Sequence, residues 1–414
     1  MRKALVLVIF LLIVSAAVFA DFSDFYYSIS PAEDRVDPNV GLTLFPTLQV
    51  PSGGKYESMG TAFTAVADDT GFLEANPSAS SLLEYTELVF SHNNWIADSN
   101  LEGVVYTIRF NDLGIGFGGK FLYVPFTEYD TWGERVSKGY FTETIGTMNI
   151  SYNFFSSYYF YGLALGTNIK VAFRNIPDEI AEGQSLFGVM ADVGLLTRFN
   201  FLKFYASRTK NVSVGAVVKN LGPPVPLSAE RTPAEPLPTE ATCGLSYSLL
   251  RPIPMAFDLG IPFSFVPAYP AERLNFAAGL DVVFTDFYSL QTGFKYRGAN
   301  PKISLGSILE LEAVRFAVNY TFDLTTSSQN PDHFSIKAEL KLGDRGRAEI
   351  QALIDEYYTA GLEAYAEGRL TKSIEYWNKV LELDPHFQPA QEMKKTAQRA
   401  LRLQEEMEEL QKIE

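Results

Sequence analysis

The 414-residue chain contains one cysteine, Cys243, so no intrachain disulfide can form. Its three histidines, at positions 92, 333 and 386, have no partners spaced as a zinc site or a catalytic triad requires. No phosphate-binding glycine loop, His-Glu-x-x-His or Cys-x-x-Cys is present. The sequence therefore supports no catalytic residue, no metal site and no cofactor. His92-Asn93-Asn94 lies near a loop, where a barrel phospholipase would place its histidine, but no serine stands suitably beside it. Positive charge is also short. The formal net charge of −15 argues against nucleic acid and anionic headgroups as main partners. After residue 20 no apolar stretch reaches the roughly 20 residues that a membrane helix needs. Only helices and closed barrels span a bilayer, so this chain is a barrel or stays out of the membrane.

What is present begins with an export signature. Arg2 and Lys3 precede the apolar run Ala4 to Val14, and Val18-Phe19-Ala20 fits a cleavage site after residue 20. From Asp344 to Glu414 about a third of the residues are charged, as in soluble helices. Before that point charge is about half as dense, and period-two alternation takes over. In 274–284, Phe276, Ala278, Leu280, Val282 and Phe284 share one face, with Asn275, Ala277, Gly279 and Asp281 on the other. In 334–342, Phe334, Ile336, Ala338 and Leu340 oppose Ser335, Lys337, Glu339 and Lys341. Fourteen such segments start near residues 84, 101, 112, 140, 158, 186, 210, 240, 253, 273, 286, 302, 312 and 333.

The connections after the first strand alternate between long and short, with 201–209 as an irregular member. Barrels of the bacterial outer membrane have an even strand count, short periplasmic turns and long extracellular loops. That parity puts both chain ends in the periplasm. A soluble antiparallel sandwich also alternates. Long strands, polar faces rich in Gly, Asn, Ser and Thr, and aromatic clusters such as Tyr158-Tyr159-Phe160-Tyr161 favour an all-β transmembrane barrel of about 14 antiparallel strands over residues 84–343. Acidic loop residues Glu128, Asp130, Glu179 and Glu182 read either as calcium ligands or as a solvated surface. The proline-rich stretch from Gly222 to Pro238 reads as a stiff, extended loop.

Residues 21–83 do not alternate. Small residues dominate them, and Asn76-Pro77 ends any helix there. Two readings stay open: a plug folded into the lumen, or an N-terminal strand with a loop. The run Met59-Gly60-x-Ala62-Phe63-Thr64-Ala65-Val66-Ala67-Asp68-Asp69, followed by Asn76-Pro77, resembles the N-terminal hatch of the FadL-like superfamily, which includes long-chain fatty-acid transporters and PorV-type barrels. The stretches Leu83 to Asp98 and Gly119 to Tyr129 resemble an uncharacterised treponemal branch of it. The resemblance covers roughly residues 40–343. It implies a fourteen-stranded barrel in the outer-membrane lipid, a hatch that includes Gly60, Asp68, Asp69, Asn76 and Pro77, and uptake of hydrophobic small molecules such as long-chain fatty acids, which leave sideways into the membrane where a strand is kinked. Asn76-Pro77-Ser78 stands where the family usually has Asn-Pro-Ala.

Gly114, Gly116 and Gly118 share the lumen face of the third strand, followed by Gly119. They read either as a kink that opens a lateral path or as room for a plug. In the tail, Tyr357, Gly361, Ala364, Gly368, Ser373, Trp377, Val380 and Pro385 fit one tetratricopeptide repeat. A further helix over about 387–413 carries an apolar stripe. One repeat cannot stack into a solenoid. The small all-α domain over 344–414 therefore packs on itself, or uses Tyr357, Tyr365, Tyr376 and Trp377 to hold a periplasmic protein. Transporters of the superfamily generally lack such a tail. It raises the alternative of a non-transporting scaffold that recruits periplasmic or secretion-system proteins.

Overall fold

The computed structural model describes residues 39, 41–95, 99–177, 185–205, 209–226, 234–250, 253–298, 300–324 and 332–413. The expected export signal, Glu179 and Glu182 lie outside them. Fourteen antiparallel strands, β1(Glu87–Asn94), β2(Asn100–Phe110), β3(Leu113–Tyr129), β4(Arg135–Phe154), β5(Leu163–Asn175), β6(Leu186–Phe199), β7(Val212–Leu221), β8(Glu240–Leu250), β9(Ile253–Pro262), β10(Asn275–Thr285), β11(Tyr288–Arg297), β12(Asn300–Glu310), β13(Val314–Asp323) and β14(His333–Lys341), form a ring. Each pairs with its sequence neighbours, and β1 closes onto β14 from Glu87↔Lys341 to Asn94↔Phe334. No strand edge along this seam is left for another chain to pair with.

Alternation decides which face is which, and the barrel is inside-out relative to a soluble protein. Asn93, Asn149, Asn168, Asp192 and Ser335 point inward and are fully buried. Phe90, Phe117, Met148, Ile169, Phe187, Phe257 and Leu259 point outward and are 45–60% exposed. An apolar belt of this kind around a polar interior is the surface of a membrane barrel. No helix among the described residues is long and apolar enough to cross a membrane. Most strands begin within three residues of the sequence expectation. β4 begins earlier, at Arg135, because it continues with β3 past the rim: β2 stops pairing with β3 at Tyr123, and β5 reaches β4 only to Thr142. β5 begins later, at Leu163, because the aromatic run before it belongs to a connection. Asn111, at φ +53°, makes the tight β2–β3 turn in a conformation that Asn tolerates.

Among the described residues, four short helices precede β1: η1(Pro46–Gln49), α1(Gly54–Ser58), α2(Phe72–Ala75) and η2(Pro77–Leu82). α1 touches β11 to β14, while η2 touches β2 to β6. A segment that meets opposite sides of a closed barrel can only lie inside it. Glycines make room for it. An added Cβ on Gly306 would meet Ser58, on Gly279 Met59, on Gly215 Thr64, and on Gly166 Pro77, each at under 3 Å. The tightest approach to backbone is at Gly293, where a Cβ would sit 1.9 Å from the backbone N of Gly60. Gly60 itself has φ +63°, and its own Cβ would lie 2.7 Å from the backbone N of Phe294. Two facing backbones here require glycine on both sides.

The chain forms two compact units, the barrel with its interior segment and a second unit, Phe155–Gly162 with Gly343–Glu414. The second unit contains α3(Arg347–Ala366), α4(Leu370–Leu383) and α5(Gln388–Ile413). Its core gathers Ile354, Trp377, Val380, Phe387, Ala390 and Ala397. Gly361 allows α3 to approach α4, since a Cβ there would lie 2.4 Å from Trp377 Nε1.

The close approach at β11 makes a direct test. Gly293→Ala should destabilise the folded barrel by about 1–3 kcal/mol, because backbone rather than a movable side chain stands in the way. Gly119→Ala, whose nearest neighbour is Val104 at 3.6 Å, should change little. Heat-induced unfolding followed on gels compares the two; equal midpoints would refute the steric account.

Candidate functional site

The site is the space between the interior segment and the wall. Each sequence-expected residue of the segment has a structural task. Asn76 uses every polar atom of its side chain: Nδ2 donates to the carbonyls of Thr64 and Leu195, both at 2.9 Å, and Oδ1 accepts from Ser78 N and Ser78 Oγ. It thereby joins two turns of the segment to β6 and caps η2. Pro77 occupies the first turn of η2, where no N–H is needed. Asp68 accepts from Lys55 Nζ at 2.7 Å, and the same ammonium lies 3.0 Å from Asp281 on β10. Asp69 is buried and accepts from Gly71 N at 2.7 Å. The two aspartates thus serve separate contacts.

Gly114 and Gly118 face the segment. A Cβ on Gly114 would lie 2.1 Å from the Ser80 carbonyl carbon, and one on Gly118 2.2 Å from Leu73. Gly116 lies beside Phe72, and Gly119 beside Val104. Both ladders flanking β3 run unbroken from Leu113 through Gly119, so the wall has no gap there. Gly114, Gly116 and Gly118 thus back the interior segment, whereas Gly119 meets only the wall residue Val104. In the helical unit, Trp377 is fully buried and Tyr365 packs 6.0 Å from it. Tyr357 and Tyr376 are half-buried, with Lys379 over both rings. Trp377 is thus a core residue and cannot itself meet a partner.

Several residues at the site carried no sequence motif. Asp258 on β9 accepts from the backbone N–H groups of Phe63 and Thr64, at 3.0 and 2.9 Å. Lys120 on β3 pairs with Glu74 and donates to the Val50 carbonyl at 2.7 Å. Glu57, on α1, accepts from Thr321 Oγ1 at 3.0 Å and from Ser335 Oγ at 2.9 Å. Burial pushes its carboxyl up to about 7, against the pull of those two hydrogen bonds. The sequence signal for Asp258 and Lys120 was a charge at an inward-facing position of an alternating strand. Glu57 had no such signal.

Above the interior segment, toward the long-loop end, lies a chamber of about 700 Å³. Leu44, Val50, Trp95, Leu122, Val124 and Phe141 give it apolar walls. Arg174, Lys295, Arg297 and Lys302 bring positive charge to it. A smaller polar chamber of about 90 Å³ adjoins it; Gln49, Thr61, Lys295 and Arg297 line both. Among the described residues no three His, Cys, Asp or Glu side chains converge as metal ligands would. Asp130 accepts from the backbone N of Trp132 and of Glu134, and Glu128 accepts from Ser137, which accounts for the described acids of the β3–β4 turn.

Fold and site together define a membrane β-barrel whose lumen holds its own N-terminal segment. The chain belongs to the Uncharacterised protein family UPF0164, whose model matches residues 28–345. A UPF0164 protein of Treponema pallidum (strain Nichols) is 28% identical over 381 residues, covering 89% of this chain and 85% of the relative. A second from the same organism is 26% identical over 376 residues, covering 86% of this chain and 75% of the relative. Among solved structures, the Ralstonia pickettii toluene transporter TbuX is 10% identical with a TM-score of 0.47, covering 73% of this chain and 100% of that one. A TodX monoaromatic hydrocarbon channel variant is 12% identical with a TM-score of 0.46, covering 69% and 97%.

Glu57 predicts a pH dependence. Its carboxyl is higher when buried against β13 and β14 than its ordinary value of 4.5. The seated arrangement is therefore favoured in full below about pH 4.5 and loses that contribution as pH rises toward 7. The protection of amides 54–60 against exchange, taken relative to their intrinsic rates at each pH, should fall over this window, and Glu57→Gln should flatten that profile. An identical pH profile in Glu57→Gln would count against the assignment.

Proposed function

We propose that this protein is an outer-membrane channel for hydrophobic small molecules, with long-chain fatty acids as the expected class. The observation that carries this reading is the apolar-walled chamber of about 700 Å³, set inside a lipid-facing barrel and directly above an interior segment hydrogen-bonded to the wall. Pockets of 300–1,000 Å³ with mainly apolar walls and a few polar groups suit small-molecule ligands. The interior segment acts as a hatch in this reading. Ligand enters from the long-loop side and leaves after the hatch or the wall rearranges, sideways into the membrane. The short turns face the periplasm, and β14 ends at Lys341 on that side, so the tail follows into the periplasm. Purified protein in liposomes should speed entry of a radiolabelled long-chain fatty acid in a saturable way. No acceleration by a folded barrel would overturn the reading.

A second role for the tail is favoured by one observation. Leu403 and Met407 on α5 are 60% and 61% exposed, an apolar stripe outside the core of the helical unit. In this reading the tail recruits a periplasmic protein. Removing residues 344–414 should abolish co-purification of that protein and leave fatty-acid entry intact; co-purification unchanged by the deletion would refute it.

A further inference from the structure

The aromatic run Tyr158-Tyr159-Phe160-Tyr161 has no part in the channel reading. It lies in the connection between β4 and β5, which takes eight residues where the β2–β3, β8–β9 and β10–β11 connections take two. A tight turn between antiparallel strands needs no such length. The extra residues belong with the helices instead, since Phe155–Gly162 and Gly343–Glu414 form one compact unit. Within that unit the run has a defined shape. Ser157 N donates to the Phe160 carbonyl at 2.8 Å, and Phe160 N donates to Ser157 Oγ at 3.1 Å. The turn so closed holds the rings of Tyr158 and Tyr159 5.2 Å apart at right angles. Tyr158 stands edge-on to Phe387 at 5.0 Å, and Tyr358 of α3 meets the same ring at 5.3 Å. The Tyr159 hydroxyl donates to Glu392 of α5 at 3.5 Å. Between these neighbours Phe387 is left 6% exposed.

We propose that Phe155–Gly162 is the built-in partner of the helical unit, an aromatic clasp over the face shared by α3 and the start of α5. One helical repeat cannot bury its own apolar face, and a solenoid solves this by stacking a further repeat. Here a loop of the same chain takes the place of that repeat. Its two tyrosines suit the surface they meet, which is apolar at Phe387 and charged at Glu392, because each pairs an apolar ring with a polar tip. The turn is closed by its own hydrogen bonds, so docking orders little that is not already ordered. The loop continues into β4 at Phe154 and into β5 at Leu163, and its contact with the helices is therefore intramolecular, which favours it over a separate protein. The clasp does not depend on what the lumen carries. It does narrow the recruiting role of the tail: a second protein must use another face, such as that of Leu403 and Met407, or displace Tyr158 and Tyr159 with an aromatic pair of its own.

The test uses the full chain in lipid nanodiscs and follows amide exchange in the helices, with heat-modifiable migration on gels as the check that the barrel has closed. Tyr158→Ser should quicken exchange over residues 354–361 and 387–393 roughly tenfold, the scale of one lost aromatic pair with its buried area. Tyr158→Phe keeps the ring and should leave exchange as it is. Unchanged exchange in Tyr158→Ser would overturn the proposal, and so would equal quickening in Tyr158→Phe. If Tyr158→Ser prevents the barrel from closing, a photoreactive benzophenone side chain in place of Tyr158 decides. Cross-linking to a peptide that contains Tyr358 or Phe387 of the same chain supports the clasp. Label found only in barrel strands, in lipid or in a second chain overturns it.

Discussion

The contact on which the rest of the structure depends is between two backbones. The chain at Gly60 presses against β11 at Gly293 and Phe294, closer than any side chain would permit. The same relation recurs around the ring, at Gly279, Gly215, Gly166 and Gly114, and Gly306 receives the Ser58 side chain. A barrel of fourteen strands is too wide for its inward side chains to fill. Here the space is closed by a second layer of chain, and small wall residues set how deeply that layer sits. The backbone of the interior segment then needs partners of its own, since buried N–H and C=O groups are costly when unpaired. Asp258 takes two N–H groups, Asn76 takes the Thr64 carbonyl, and Lys120 takes the Val50 carbonyl.

From this arrangement the chambers follow. With the segment seated on the glycines, the free volume is displaced toward the long-loop end, where Leu44 and Val50 of the segment face Leu122, Val124 and Phe141 of the wall. The apolar surface that lines the upper chamber is thus made by two parts of the chain that are distant in sequence. The charges remain below and around it, mostly in pairs. In a low-dielectric interior such pairs hold the interior segment in one register more than they add stability.

Much of the fold was legible beforehand for a physical reason. A strand that separates lipid from a polar lumen must alternate, and alternation survives in a single sequence. The even count and the loop lengths follow from the same requirement. Legibility failed where one residue type serves two purposes. Gly114, Gly116 and Gly118 could have been a kink or a seat, and only the distances to Ser80, Phe72 and Leu73 separate the two. Trp377 looked like a surface for a partner because its repeat seemed too short to bury it. Ile354, Val380 and Phe387 nevertheless gather with it in one core.

The sequence by itself determined the inside and outside of each strand, the presence of a small-residue segment before the barrel, and the change to helices near Asp344. Those properties are local, set by the period of apolar residues and by charge density. The tertiary structure alone decided which charges are matched. Lys295 and Lys302 are adjacent across β11 and β12, but only Lys302 has Asp323 beside it. The two lysines look alike along the chain, because ion pairing depends on distances of a few ångströms between strands, and no pattern within one strand encodes them.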